Sequence, residues 1–217
     1  MRLRMAKKTF KAATLEYPLP AVMISCGNET ESDIVTIAWT GIINSDPPRT
    51  YISVRPDRYS YHIIKETGEF VINLVPKDMC FAMDYCGCTT GSKTNKWKDM
   101  QLHKEKADNL ACPMIKESPV NIECRVFDVQ NLGSHDMFLA DILAVHVDRS
   151  IFDENDRIAM EKMNLVSLIH GKYFAAQSRP LGHMGYSVMK PKTKKKISAE
   201  HRMTSRKNSA KKESSAK

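Results

Sequence analysis

Apolar and polar positions alternate in short runs along most of this chain, and Gly, Asn, Asp and Pro break the runs apart. Pro20–Cys26, Ile34–Gly41, Arg49–Arg55 and Glu69–Val75 are brief and rich in β-branched and aromatic residues, which predicts strands. "GNETESD" reads as a hairpin loop between the first two. Past the middle of the chain, Val120–Gln130 and Met137–Asp148 show the period of half-buried strands on either side of "NLGSHD", a second hairpin. Lys172–Ser178 is a weaker strand candidate. Helical signals are fewer. Tyr59–Thr67 stops at Gly68, which suits the position just past a helix end. Pro76–Tyr85 opens with a proline and an early acid, as helix starts prefer. Strands this closely spaced leave no room for repeated βαβ crossovers. The pattern predicts a mainly β architecture, a β-barrel with helical inserts.

The chain has 217 residues, 42% of them hydrophobic, enough for one sizeable domain with its own core. No apolar run approaches the roughly 20 residues that cross a bilayer. The basic start "MRLRMAKKTFKAATLEY" is not followed by the apolar stretch of a secretory signal. A cytoplasmic protein with no membrane partner is therefore expected. The formal charge of +8 has to be located before it means anything. Residues 190–217 carry a net +9, which leaves residues 1–189 at −1. The basicity sits in a tail low in apolar residues, predicted to be disordered. A near-neutral folded part argues against nucleic acid as a partner. Cys26, Cys80, Cys86, Cys88, Cys112 and Cys124 follow no secreted-scaffold spacing, and reduced thiols are expected. Cys86-Gly87-Cys88 lacks the two-residue gap of zinc or thioredoxin-type pairs, and no metal site is expected there.

Four stretches carry candidate chemistry. In "SVRPDRYSYHII", Ser53–Ile64, an extended segment meets the first turn of a helix among Arg55, Arg58 and Ser60. A helix start plus guanidinium and hydroxyl donors suits a phosphate. Taken alone, the same residues read better as a plain N-cap, with Ser60 capping and both arginines solvated. "CGCTTGSKTNKW", Cys86–Trp97, reads as a glycine-containing loop with Lys93 and Lys96, again suited to an anion, though without the ending of a P-loop. In "IAWTG", Ile37–Gly41, Trp39 is either core or a flat surface for a planar heterocycle. His135 stands at the tip of the later hairpin. No Ser-His-Asp order, paired-carboxylate pattern or metal-ligand cluster stands out, so no catalytic side chain is assigned.

Taken in order, "PLPAVMISCG", "IVTIAWTGIINSDPP", "ISVRPDRYSYHIIKETGEFVINL", "DYCGCTTGSKTNKW", "PVNIECRV" and "LGSHDMFLADILAVHVD" resemble the flavin reductase-like family with the FMN-binding split-barrel fold, most of all its flavoredoxin branch. The resemblance runs from about Pro18 to Tyr186. It implies a lead-in over 1–14, an FMN-binding split-barrel domain over 15–187 and a disordered basic tail over 188–217. It implies FMN as cofactor and NADH or NADPH as electron donor. The acceptor would be a small molecule or a protein, and the assembly a homodimer with FMN near its interface. It places Thr36, Ile37, Ala38 and Trp39 alongside the flavin ring and ribityl chain. Ser53, Arg55, Arg58 and Ser60 would hold the phosphate end, with Lys96 and His135 as further flavin contacts. The chemistry would then occur at flavin N5. Three departures stand out: Asp33 where the family often has Asn, Thr90-Gly91 for Ser-Gly, and Asn95-Lys96 for Asp-Lys. An acid at position 33 is the least welcome of them near a flavin or a phosphate. The implied activity is a flavin or ferric reductase, with a flavoredoxin-like electron carrier as the alternative.

Overall fold

A computed structural model describes residues 7–175 and 184–190. The strands in chain order are β1 (Leu19–Pro20), β2 (Val22–Gly27), β3 (Ser32–Ile37), β4 (Thr40–Ser45) and β5 (Pro48–Val54). Helix α1 (Tyr59–Thr67), β6 (Glu69–Leu74), α2 (Cys80–Cys88) and α3 (Lys96–Asp99) follow. Then come β7 (Lys104–Glu105), β8 (Met114–Ile115), β9 (Val120–Asn131), β10 (Asp136–Val147), β11 (Val166–Ile169) and β12 (Lys172–Ala175). Residues 184–190 contain one 3-10 turn, Tyr186–Val188. The predicted basic tail lies outside the described residues from 191 onward, as do residues 1–6 of the lead-in and 176–178 of the last predicted strand.

Seven strands form one sheet in the order β3-β2-β6-β9-β10-β5-β4, antiparallel wherever they pair. The outermost strands, β3 and β4, are neighbours in sequence, separated only by Ala38 and Trp39. A flat sheet of seven strands would hold its edges roughly 29 Å apart. Three residue steps, from Ile37 to Thr40, reach about 11 Å at most. The sheet must therefore curl until its edges nearly meet, yet β3 and β4 share no ladder. The result is a barrel left open along one seam, the mainly β split barrel with helical inserts that the sequence predicts.

The strand pattern fixes what lies inside. In β2 every residue is buried, because alternate side chains face two cores. Val22, Ile24 and Cys26 join Ile52, Val54, Phe70 and Phe138 in the barrel, where Tyr61 and Ile64 of α1 also pack. Ala21 and Met23 face the other way, against Met83 and Cys86 of α2, Trp97 of α3 and Ile115. Several buried polar groups are braced. The Asn73 side chain donates to Met23 O (3.0 Å), Ser25 Oγ (3.0 Å) and Val71 O (3.1 Å). Its oxygen accepts from Ile115 N–H (3.0 Å) and from Asn121 (2.7 Å). Glu123, fully buried, accepts the N–H groups of Asp108 and Asn109 (both 2.8 Å) and pairs with His146 Nε2 at 2.6 Å. Asp108, Glu123 and His146 bring ligand-type atoms within 4.8 Å of one another, but these bonds make Glu123 a brace between β9, β10 and the loop at 108–109.

Three predicted elements are corrected. The strand expected over Ile34–Gly41 breaks at Ala38-Trp39, and its last residues begin β4 instead. Asn44, Asp46 and two prolines hide β4, which an edge position with one unpaired side tolerates. The helix expected to stop at Tyr85 runs on to Cys88, so Cys86–Cys88 belong to α2 and not to a loop. Gly87, a poor helix former, sits there for close packing: a Cβ at this position would lie 3.0 Å from Thr36 Cβ. Ser60 is not the N-cap of α1; that position is Arg58, which makes no side-chain cap bond.

Burial alone would raise the Glu123 pKa, but the hydrogen bonds from Asp108, His146 and Asn109 outweigh it and hold the carboxyl below its ordinary range. The stabilisation is therefore present above the unfolded value of about 4.3 and is lost as pH falls through the lower folded value. Glu123→Gln, which turns an NH2 toward an N–H donor, is expected to cost about 2 kcal/mol at neutral pH. Chemical denaturation from about pH 5 down to about pH 2, the window below the unfolded value, should show a shallower acid loss in this variant than in wild type.

Candidate functional site

The open seam carries a cavity of about 180 Å³ lined by Thr36, Ile37, Ala38, Trp39, Ser53, Arg55, Arg58 and His135. Three separate stretches of chain supply these residues, and the fold explains how they meet. Thr36 and Ile37 end β3, and Ala38-Trp39 turn the corner to β4. Ser53 lies near the end of β5, where its N–H donates to Trp39 O at 2.9 Å and ties the corner to the next strand. The β10–β5 register sets Asp136 opposite Val54, so His135 and Arg55 meet just beyond the paired residues. Asp136 is itself fixed, accepting from Tyr61 of α1 at 2.5 Å and from Asn131 at 2.7 Å.

Each group has a distinct state. Thr36 Oγ1 donates to Met83 O, which turns its hydroxyl toward α2. Trp39 is 38% exposed and stacks on His135, ring centroids 4.6 Å apart at 40°. Burial and then the charge of Arg55 lower the His135 pKa, so the imidazole is neutral at pH 7. Arg55 pairs with Asp57 at 3.0 Å, and Arg58 donates to Gly87 O at 3.1 Å; both guanidinium groups are exposed. Helix α1 starts here with no side-chain cap and no acid in its first turn. Its N-terminal N–H groups and positive dipole end therefore favour a negative group at this point.

Ser60 and Lys96 do not line this cavity. They border a smaller one of about 90 Å³ together with Val35, Asp57, Arg58, Tyr59, Thr89 and Thr90, and Arg58 lines both. Here the sequence withheld the deciding contact. Asp33, 3% exposed, receives the Ser60 hydroxyl at 2.5 Å and the Lys96 ammonium at 3.1 and 3.2 Å. Lys96 also donates to Ile34 O at 2.5 Å. Gly91 lies directly on this carboxylate; a Cβ there would sit 2.5 Å from Asp33 Oδ1. Asp33 and Lys96 are 63 residues apart, so no local pattern reveals the pair. Val35, Tyr59 and Thr89 are wall residues not singled out in advance, and for Thr89 the signal was the cluster of hydroxyls after Gly87.

The arrangement offers a flat aromatic pair, backbone at a chain reversal, two exposed guanidiniums and an uncapped helix start. That donor set suits a planar ring bearing a phosphate, and FMN is a group of that kind. No helix among the described residues is long and apolar enough to cross a membrane.

The chain is 28% identical over 139 residues to an uncharacterised protein of Pyrococcus abyssi, covering 64% of this chain and 80% of that one. It is 30% identical over 129 residues to one of Archaeoglobus fulgidus, covering 59% and 72%. Among solved structures it is similar to the flavoredoxin of Desulfovibrio vulgaris (Miyazaki F), at 26% identity, TM-score 0.78, 85% of this chain and all of that one. The flavoredoxin from Methanosarcina acetivorans shares the fold at 23% identity and TM-score 0.76, over 85% of this chain and all of that one. The model of the flavin reductase like domain matches residues 14–175, and the chain belongs to that family.

Proposed function

We propose that this chain is an FMN-dependent oxidoreductase that takes electrons from NADH or NADPH and passes them to a small-molecule or protein acceptor. The observation that carries the reading is the convergence of three chain segments, with their aromatic pair, two arginines and uncapped helix start, on one slot at the barrel seam. FMN, when bound, would supply the redox chemistry, accepting a hydride at N5 and releasing electrons in turn. The residues bind and orient. Trp39 offers a face for the ring, Thr36–Trp39 run alongside it, and Ser53, Arg55 and Arg58 act at the phosphate end. Ser60 stands in the wall of the second cavity that Arg58 lines, its hydroxyl held by Asp33. His135, neutral and stacked on Trp39, lines the slot from the hairpin side. Lys96 contributes through the wall that it shares with Arg58.

The slot is small. Sites that bury a whole ligand usually measure about 300–1,000 Å³, against about 180 Å³ here. A flavin seated in it would present much of its surface outward, which suits a second copy covering it in a homodimer. Large apolar side chains left in solvent on the same sheet support this, namely Ile42, Ile43, Phe127, Leu143 and Val145. A cytoplasmic location fits the dependence on a soluble nicotinamide donor.

A second reading, an electron carrier that holds FMN but turns over nicotinamide cofactors poorly, is favoured by the likeness to the Desulfovibrio flavoredoxin. The visible spectrum of the purified protein, followed by anaerobic addition of NADH and of NADPH, tests both. A flavin spectrum that bleaches with either donor supports the reductase, and one that resists both supports the carrier. A colourless protein that takes up no added FMN would end the flavin reading.

Two substitutions probe the site. Arg58→Ala removes a charge-assisted donor and is expected to weaken FMN binding by roughly 10- to 100-fold. Lys96→Ala, which strands the Asp33 carboxylate, should also reduce FMN retention; unchanged affinity in flavin-fluorescence titrations would count against either role. Light scattering should give twice the chain mass, and Leu143→Glu should lower it toward the monomer.

A further inference from the structure

Lys96 lines the smaller cavity and is paired with the buried Asp33, and the charge of that pair has a consequence for what the site selects. Asp33 is held on several sides. Lys96 Nζ approaches both carboxylate oxygens at 3.1 and 3.2 Å, and Ser60 Oγ donates to one of them at 2.5 Å. The backbone at Gly91 leaves no space for a Cβ beside the carboxylate. Lys96 is anchored as firmly, with Ile34 O at 2.5 Å and 3% of the residue exposed. The two side chains cannot separate without breaking these contacts.

Charge separates this pair from the neighbouring arginines. Arg55 and Arg58 are exposed and their fields are screened by water, whereas a unit charge in the interior acts through a lower dielectric. A lone ammonium beside Arg58 would be a strong attractant for a phosphate. Matched with Asp33, it becomes a dipole, and its pull on an anion falls off much faster. Ser60, whose hydroxyl would otherwise be available to the cavity, is turned to the same carboxylate.

We propose that Asp33 is a positioning and specificity-determining residue: it fixes Lys96 and Ser60 and withholds the lysine's charge from the cavity, so that preference for a phosphorylated over an unphosphorylated ligand falls to Arg58 and the start of α1. The inference rests on the flavin reading above and deepens it. Removing the negative charge while keeping the shape of Asp33 should release the attraction of Lys96 for phosphate.

The experiment compares full-length wild type, Asp33→Asn, Lys96→Met and the double variant. FMN and riboflavin affinities are measured by quenching of flavin fluorescence, and inorganic phosphate by its effect on the thermal midpoint. Asp33→Asn is expected to bind FMN roughly tenfold tighter, with riboflavin affinity unchanged. Lys96→Met should lose FMN, and the double variant should regain part of the loss because no carboxylate is left stranded. A structural role alone would shift FMN and riboflavin together, and that result, or weaker FMN binding in Asp33→Asn, overturns the proposal. If Asp33→Asn does not fold, Lys96→Met against the double variant decides, with no recovery counting against the idea. If wild type binds neither flavin, the flavin reading fails and the phosphate arm decides separately. A larger phosphate-induced rise in midpoint for Asp33→Asn than for wild type then upholds the role of Asp33, and equal rises refute it.

Discussion

Two residues, Ala38 and Trp39, join the outermost strands of a seven-stranded sheet, and most of the molecule follows from that short link. It forces the sheet to roll, because the chain cannot reach across an open one. It keeps the roll from sealing, because the two residues that turn the corner are not part of either strand. A fully paired barrel would have no seam, and the carbonyl of Trp39 would enter a β3–β4 ladder; here it goes to Ser53 N–H instead. The slot is thus what the topology leaves over. Its contents arrive by register alone, since the β5–β10 ladder that brings Asp136 to Val54 must also bring His135 to Arg55.

The same corner explains why two kinds of charge stand so close together. The end of β3 faces the slot, while its start, at Asp33, is covered by Ser60 of α1, Lys96 of α3 and the loop at Gly91. A buried ion pair of this sort adds little net stability, because desolvation offsets most of the attraction, yet removing one partner costs about 3–5 kcal/mol. Its value lies in placement. The pair locks α3 to β3 and leaves the exposed arginines as the cationic face of the slot.

Much of this was legible in the sequence, for reasons that can be named. The main strands and α1 carry strong period-2 or capping signals, and the segments that build the slot each lie within a short contiguous stretch such as Thr36–Trp39 or Ser53–Ser60. What could not be read depends on partners far along the chain. Gly87 looks like a helix stop until Thr36 is known to lie against it. Asp33 looks like an unwelcome acid, and Asn95 like the loss of a carboxylate for Lys96, until the fold brings Asp33 to Lys96 and Asn95 to the cap of α3, where it accepts from Lys98 N–H at 3.1 Å. Read position by position, these are two defects. In space, one acid has a lysine and one amide has a helix end.

The molecule is also unevenly braced, and the unevenness has a direction. Around β6, β8 and β9, buried polar atoms are saturated: Asn73 makes five hydrogen bonds and Glu123 takes two N–H groups and an imidazole. At the seam the helix start is uncapped, both arginines face solvent and a large aromatic is more than a third exposed. Local departures from the rules that stabilise a fold tend to collect where a ligand completes them. The rigid side of the barrel holds the strand ends in register. The seam, carried by the same strands, can then keep its donors exposed to solvent without losing their positions.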